Sequence, residues 1–157
     1  MPVIVRHALI GVAVFLAQWL ILGRLQLWGT FPDAVLLYIV WLSLQHGRMA
    51  GSIAGCGFGL LMDAVYGTWG IHMFVKTIVG FLAGLFPLEE RETLLITPSQ
   101  ALLGGLVVAL LHNGLFVILL ALQTGARTAT MITTVWLGSA AYTAVVSGIA
   151  ALFTQGK

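Results

Sequence analysis

Two oppositely charged residues, Asp63 and Lys76, lie within otherwise apolar stretches of this sequence. They stand at comparable distances from a turn at Trp69, so an antiparallel hairpin would bring them to a similar depth. A lone charge at the centre of a bilayer costs roughly 2.5–3.5 kcal/mol, and such residues usually find a partner or line a cavity. We therefore expect Asp63 and Lys76 to form an intramembrane charge pair, directly or through water. A contact with a substrate or a partner at the outer face is the functional alternative.

The histidines are weaker candidates. His112, beside Asn113, lies in the middle of a long apolar stretch. Two histidines and Asp63 could suggest a metal site, but no ligand pair has a recognised spacing such as H-E-x-x-H. A hydrogen bond from His112 to a neighbouring helix is the simpler interpretation. A protease built on Ser52 and His112 is disfavoured, because the two side chains would differ in depth by about 15 Å.

Glycines recur at intervals of four residues on both sides of the charged pair. They are Gly51, Gly55 and Gly59 before the turn, and Gly80 and Gly84 after it. In a helix this spacing keeps side chains on one face. Small residues let another helix approach closely when lipid provides no hydrophobic drive. We expect these glycines to form helix-packing surfaces that can receive a partner helix.

The composition of the chain indicates whether it lies in water or in lipid. Of 157 residues, 60% are hydrophobic and 8% are charged, whereas soluble domains carry about 25% charged residues. A mean hydropathy of +1.06 indicates a lipid environment. This composition excludes soluble enzymes, nucleic-acid binders and disordered tails. We assign no catalytic residue, no cofactor and no metal.

The hydropathy pattern predicts an all-α, polytopic integral membrane protein that forms one transmembrane domain over 1–157. We expect about six spans, with five as the alternative. The predicted spans are 7–27, 34–47, 50–66, 70–87, 98–122 and 131–153. Thr97-Pro98-Ser99-Gln100 fits a capping box that starts the fifth span. Trp28 and Trp69, each followed by glycine, are typical of turns at the membrane interface.

The distribution of lysine and arginine predicts the orientation of these spans. With six spans, one side carries Arg6, Arg48, Arg91 and Lys157, and the other carries Arg24 and Arg127. Cytoplasmic loops carry an excess of such residues, so we expect both termini in the cytoplasm.

The order of several motifs resembles the rod shape-determining protein MreD family. The motifs are Pro32-Asp33 before a short leucine-rich span, Phe58-Gly59-Leu60-Leu61-Met62-Asp63, then Gly70, and finally Gly80-Phe81-Leu82-Ala83-Gly84. The resemblance covers about residues 30–88. One departure is the loop after the fourth span, which is acidic at Glu89, Glu90 and Glu92, whereas basic residues would be expected there.

This resemblance implies a non-catalytic component of the cell-elongation machinery in the bacterial inner membrane. It implies a fold similar to the substrate-binding component of energy-coupling-factor vitamin transporters. The partners it implies are MreC, the actin-like MreB, and the peptidoglycan polymerase and transpeptidase.

Two function classes follow from the sequence. The first is a scaffold whose glycine faces bind a partner helix such as that of MreC. The second is a membrane solute-binding component with a pocket walled by Asp63, Lys76, His72 and Trp69. A small-molecule pocket needs several convergent polar groups, and the predicted outer connections are short and nearly uncharged. The sequence therefore favours the scaffold.

Overall fold

A computed structural model describes residues 3–88, 96–125 and 128–154 of the chain, and the regular elements among these residues are helices, with no strand. Helix α1 (Val3–Ala17) continues into a π-helical segment, Gln18–Leu22. Helices α2 (Ala34–Tyr66), α3 (Ile71–Ala83) and α4 (Pro98–Thr124) follow. Helix α5 begins with a π-helical segment, Met131–Gly138, and continues as an α-helix, Ser139–Thr154.

Helix α2 is folded back on itself at Gly47. This residue has φ 77° and ψ −177°, a conformation open essentially to glycine alone. The rings of Phe31 and Tyr66, at opposite ends of α2, stack with their centroids 6.4 Å apart. The first arm, residues 34–46, and the second arm, residues 48–66, therefore run antiparallel.

The apolar core joins four helices, α2 to α5. One buried cluster contains Leu36 of α2, Val75 and Val79 of α3, Ala109 of α4 and Ala140 of α5. Lipid solvates apolar side chains about as well as other apolar side chains do, so the hydrophobic effect does not drive this packing. Dispersion contacts within the cluster therefore determine how the helices pack.

The start of α4 agrees with the sequence analysis. The Thr97 hydroxyl accepts a hydrogen bond from the Gln100 backbone N–H, and the Gln100 side chain accepts one from Thr97 N at 2.9 Å. Pro98 occupies the first turn, where its missing N–H is not needed. The predicted capping box is confirmed. Gly125, with φ 69°, ends the helix in a left-handed conformation.

Among the described residues, four helices are long and apolar enough to cross a membrane. They are Val5–Leu22, Ala34–Tyr66, Pro98–Thr124 and Ile132–Phe153, whereas the apolar helix Ile71–Ala83 is shorter. These helices fit a multi-pass membrane protein. The count of six spans and the resemblance to a vitamin-transporter component stay predictions. Arg91, Arg127, Lys157 and the acidic residues Glu89, Glu90 and Glu92 lie outside the described residues.

Candidate functional site

The segment that precedes α2 is held in place by side chains from α5 and from the π-helical segment that follows α1. The Gln18 amide donates to the Pro32 carbonyl oxygen and accepts from the Ala34 backbone N–H, each at 2.8 Å. The Asp33 backbone N–H donates to the Thr143 hydroxyl at 3.0 Å. Irregular backbone surrounded by apolar helices needs such partners, because each unsatisfied polar group is costly there. Together these contacts fix the position of Asp33 at the start of α2.

Asp33 forms a buried ion pair with Lys76 of α3. The Lys76 side chain is fully buried, and its ammonium donates to Oδ2 of Asp33. The other carboxylate oxygen of Asp33 accepts from the Leu36 backbone N–H at 2.8 Å, which caps α2. The pair thus links α3 to the first turn of α2.

His112 of α4 extends this pair into a longer chain of contacts. Its Nε2 lies 3.2 Å from the Lys76 nitrogen, and its Nδ1 lies 2.9 Å from the Asn113 side-chain oxygen. An ammonium can only donate, so Nε2 accepts and Nδ1 carries the proton. Asn113 in turn donates to the Trp136 carbonyl oxygen of α5 at 3.4 Å. We call Asp33, Lys76, His112 and Asn113 the buried polar network.

Asp63 has a different set of partners. Its carboxylate accepts hydrogen bonds from the backbone N–H of His72 at 3.0 Å and of Met73 at 2.9 Å, and from the Thr68 hydroxyl. The N-cap residue of α3 is Gly70, which has no side chain to satisfy the first N–H groups of the helix. Asp63 supplies that cap from the neighbouring helix α2.

The direct form of the predicted pair between Asp63 and Lys76 is therefore wrong, whereas a contact between them through water stays a prediction. The two residues belong to adjacent antiparallel helices, as expected, but the Lys76 ammonium reaches Asp33 instead. Asp63 already accepts the N–H groups at the start of α3, which compensates its charge without a cation.

The glycines predicted to form packing surfaces lie between the second arm of α2 and α3. A methyl group added at any of the five would overlap backbone atoms of the facing helix. Gly51 and Gly80 meet each other, Gly55 meets Lys76, Gly59 meets Met73, and Gly84 meets Arg48. These faces are filled by the chain's own helices and are not open to a partner. Gly57 differs, since a methyl group there would meet nothing within 4 Å.

The residues expected to wall a solute pocket do not share one environment. Trp69 is 87% exposed, whereas His72 is buried and packs on Phe116 with ring centroids 4.7 Å apart. Nδ1 of His72 has no hydrogen-bond partner among the described residues. Within the same part of the chain, no three His, Cys, Asp or Glu side chains are grouped as metal ligands.

Sequence reasoning missed several members of the site. Asp33 appears in the sequence only as part of the Pro32-Asp33 motif, and its position directly before a predicted span is the available signal that it is a polar anchor. Asn113 was seen beside His112 without a role. An isolated amide or hydroxyl in an apolar stretch, such as that of Gln18 or Thr143, indicates a hydrogen bond to another segment but does not identify the partner.

Similarity to known proteins is found at the level of the family. The family model described as rod shape-determining protein MreD matches residues 2–154, nearly the whole chain. No curated protein and no solved structure matches the sequence. The matched region includes the five helices of the described residues and every member of the buried polar network.

Proposed function

This chain belongs to the rod shape-determining protein MreD family, and on that premise we propose that it is a non-catalytic scaffold of the cell-elongation machinery in the bacterial inner membrane. Family membership implies a role in rod shape determination, and the apolar helices fit a multi-pass membrane protein. The proposed partners are an MreC-type protein that contributes a transmembrane helix, an MreB-type filament, and the peptidoglycan polymerase and transpeptidase complex.

The observation that supports a scaffold is that the members of the buried polar network bind one another. Lys76 donates to Asp33 and contacts His112, so its charge is already compensated inside the protein. A solute site needs convergent polar groups that are free to meet a ligand. A network that links α2, α3, α4 and α5 instead gives a rigid body, which is what a scaffold requires.

The proposed topology has six crossings, with both termini in the cytoplasm. The antiparallel arms of α2 support it, because residues 34–46 and 48–66 each form a separate helical segment. At the other end of the molecule from Trp69, the rings of His7 and His46 lie 4.9 Å apart. The first arm is short for a crossing, but its burial among neighbouring helices shields its ends from lipid.

Cell shape and partner recovery test the scaffold together. Rod-shaped cells that lack this chain are expected to become round, and the wild-type chain should restore the rod shape and co-purify with the MreC-type protein. Gly59→Leu should abolish both the restoration of rod shape and the co-purification, because the leucine side chain would displace α3. Gly57→Leu, two residues away on the open side of the same helix, is the matched control for folding.

Two outcomes would contradict the scaffold. One is a wild-type chain that is stably produced in these cells and restores no rod shape. The other is tight capture of a small nutrient by the purified chain without other subunits. The topology is tested separately, since a fluorescent protein that folds only in the cytoplasm should fluoresce when it is fused after Lys157.

A further inference from the structure

Two turns at one end of the molecule have the same construction. In the first, Thr30 N donates to the Leu27 carbonyl oxygen at 2.9 Å around Trp28-Gly29. The central residues have φ of 51° and 79°. Positive φ at both central positions defines a type I′ turn.

The second turn repeats this arrangement around Trp69-Gly70. Ile71 N donates to the Thr68 carbonyl oxygen at 3.2 Å, and the central residues have φ of 46° and 89°. The chain therefore places tryptophan followed by glycine at the centre of two left-handed turns.

Tryptophan is a poor choice for this position. The first central residue of a type I′ turn is usually Asn, Asp or Gly, and a bulky residue at positive φ is an outlier. The fold gains little in return, because the side chains of Trp28 and Trp69 are 94% and 87% exposed. A strained backbone that displays a side chain without burying it points to a role outside the chain.

The two turns share one end of the molecule with a positive charge. Phe31 and Tyr66 stack on each other, and each lies three residues from one of the tryptophans. Arg24 is exposed on the connection that leads to the first turn. The aspartates of the described residues, Asp33 and Asp63, are both buried. Within the described part of the chain, this end therefore presents aromatic rings and a cation without an exposed acid.

We propose that Trp28, Trp69 and Arg24 form a docking surface for a partner protein, which we call the two-tryptophan surface. The partner contributes apolar recesses that accept the indoles and an acidic side chain that pairs with Arg24. Tryptophan and arginine are the residues that most often dominate protein interfaces. The inference rests on the proposed function for its premise that the chain works with partner proteins at the outer face.

A protein fits these observations better than the lipid headgroup layer. A tryptophan that only anchors a helix in the interface needs the right depth, and many flanking positions offer it. Two strained turns fix the direction of the Cα–Cβ bond of each tryptophan as well as its depth. A fixed direction is useful for insertion into a shaped recess and unnecessary in a fluid headgroup layer.

Site-specific photocrosslinking in living cells tests the surface. The full chain carries p-benzoylphenylalanine in place of the exposed Gln26, which leaves both tryptophans intact. The probe is also placed at Leu103, a residue of α4 that is 60% exposed, as a lipid-facing control. We expect a discrete protein adduct from position 26 and lipid adducts from position 103.

Two variants of the surface then separate recognition from folding. The double variant Trp28→Asn/Trp69→Asn keeps the turns, because asparagine favours them, so the melting temperature should stay equal or rise. Arg24→Glu reverses the exposed charge. Each variant should lower the protein adduct from position 26 at least tenfold and leave the lipid adducts from position 103 unchanged.

Several results would overturn the inference. These are lipid adducts alone from position 26, an adduct with a second copy of this chain, or a protein adduct whose yield is unchanged in both variants. Failure of the proposed function is recognised separately, because it is read from cell shape. If the wild-type chain restores rod shape and yields no partner adduct, the docking surface alone is wrong.

Discussion

The ion pair between Asp33 and Lys76 gives the sharpest energetic prediction. Their side chains are 9% and 0% exposed, so the values for buried pairs apply. Removing one partner of a buried pair costs about 3–5 kcal/mol, whereas replacing both is often close to neutral. Lys76→Met leaves the Asp33 carboxylate with the Leu36 N–H as its remaining hydrogen-bond donor to the side chain. We expect a loss of about 3 kcal/mol in the free energy of unfolding.

A double-mutant cycle isolates the pair. In the double variant Asp33→Asn/Lys76→Met no unpaired charge remains, and the asparagine can still cap α2. The double variant should therefore be about 2 kcal/mol more stable than the sum of the two single losses predicts, and this difference is the coupling energy of the pair. The assay is reversible unfolding of the full chain in bicelles. The matched cycle combines Asp63→Asn with Lys76→Met and should be additive within about 0.5 kcal/mol. Coupling in the Asp63 cycle and none in the Asp33 cycle would refute the assignment.

Four further predictions concern glycine and capping positions, and each is measured as a change in the free energy of unfolding. Gly55→Ala should destabilise the chain by about 1–3 kcal/mol, because the new methyl group overlaps the Lys76 backbone. Gly57→Ala, with open space around it, should stabilise its helix by up to about 1 kcal/mol. Gly47→Ala should cost about 1–3 kcal/mol, since its conformation at the reversal of α2 disfavours a Cβ. Thr97→Ala should cost about 1 kcal/mol through loss of the capping box at α4.

Each of these results can also go against the structure. Equal effects of alanine at Gly55 and Gly57 would contradict the close contact of α2 with α3. A neutral Gly47→Ala would mean that the two arms of α2 do not reverse there. An unchanged stability in Thr97→Ala would show that the start of α4 is frayed.

Features governed by local sequence were the ones that could be predicted. The capping box at Thr97 follows from residues within one turn, and the spacing of Gly51, Gly55 and Gly59 places them on one helix face wherever that helix packs. The same spacing could not reveal whether the facing helix belongs to this chain or to a partner. The structure fills that face with α3.

The partner of Lys76 could not be predicted from the sequence alone. The distance of a residue from a turn gives its depth in the membrane, but it does not give the direction in which the side chain points around the helix axis. Asp63 and Lys76 satisfy the depth criterion, yet Asp63 accepts the free N–H groups at the start of α3. Gly55 brings the second arm of α2 close to the Lys76 backbone. The long Lys76 side chain then extends to Asp33. Three-helix contacts of this kind depend on tertiary packing.

The wide separation of Asp33 and Lys76 along the chain has a consequence for biosynthesis. The two residues are 43 positions apart, so the carboxylate is made well before the ammonium that neutralises it. At about 5–20 residues per second, the interval is on the order of 2–9 s. During that time Asp33 has no cationic partner from α3, so its free energy is lowest at the boundary between lipid and water. We therefore expect the first arm of α2 to settle at its final depth only when α3 emerges from the ribosome and enters the bilayer.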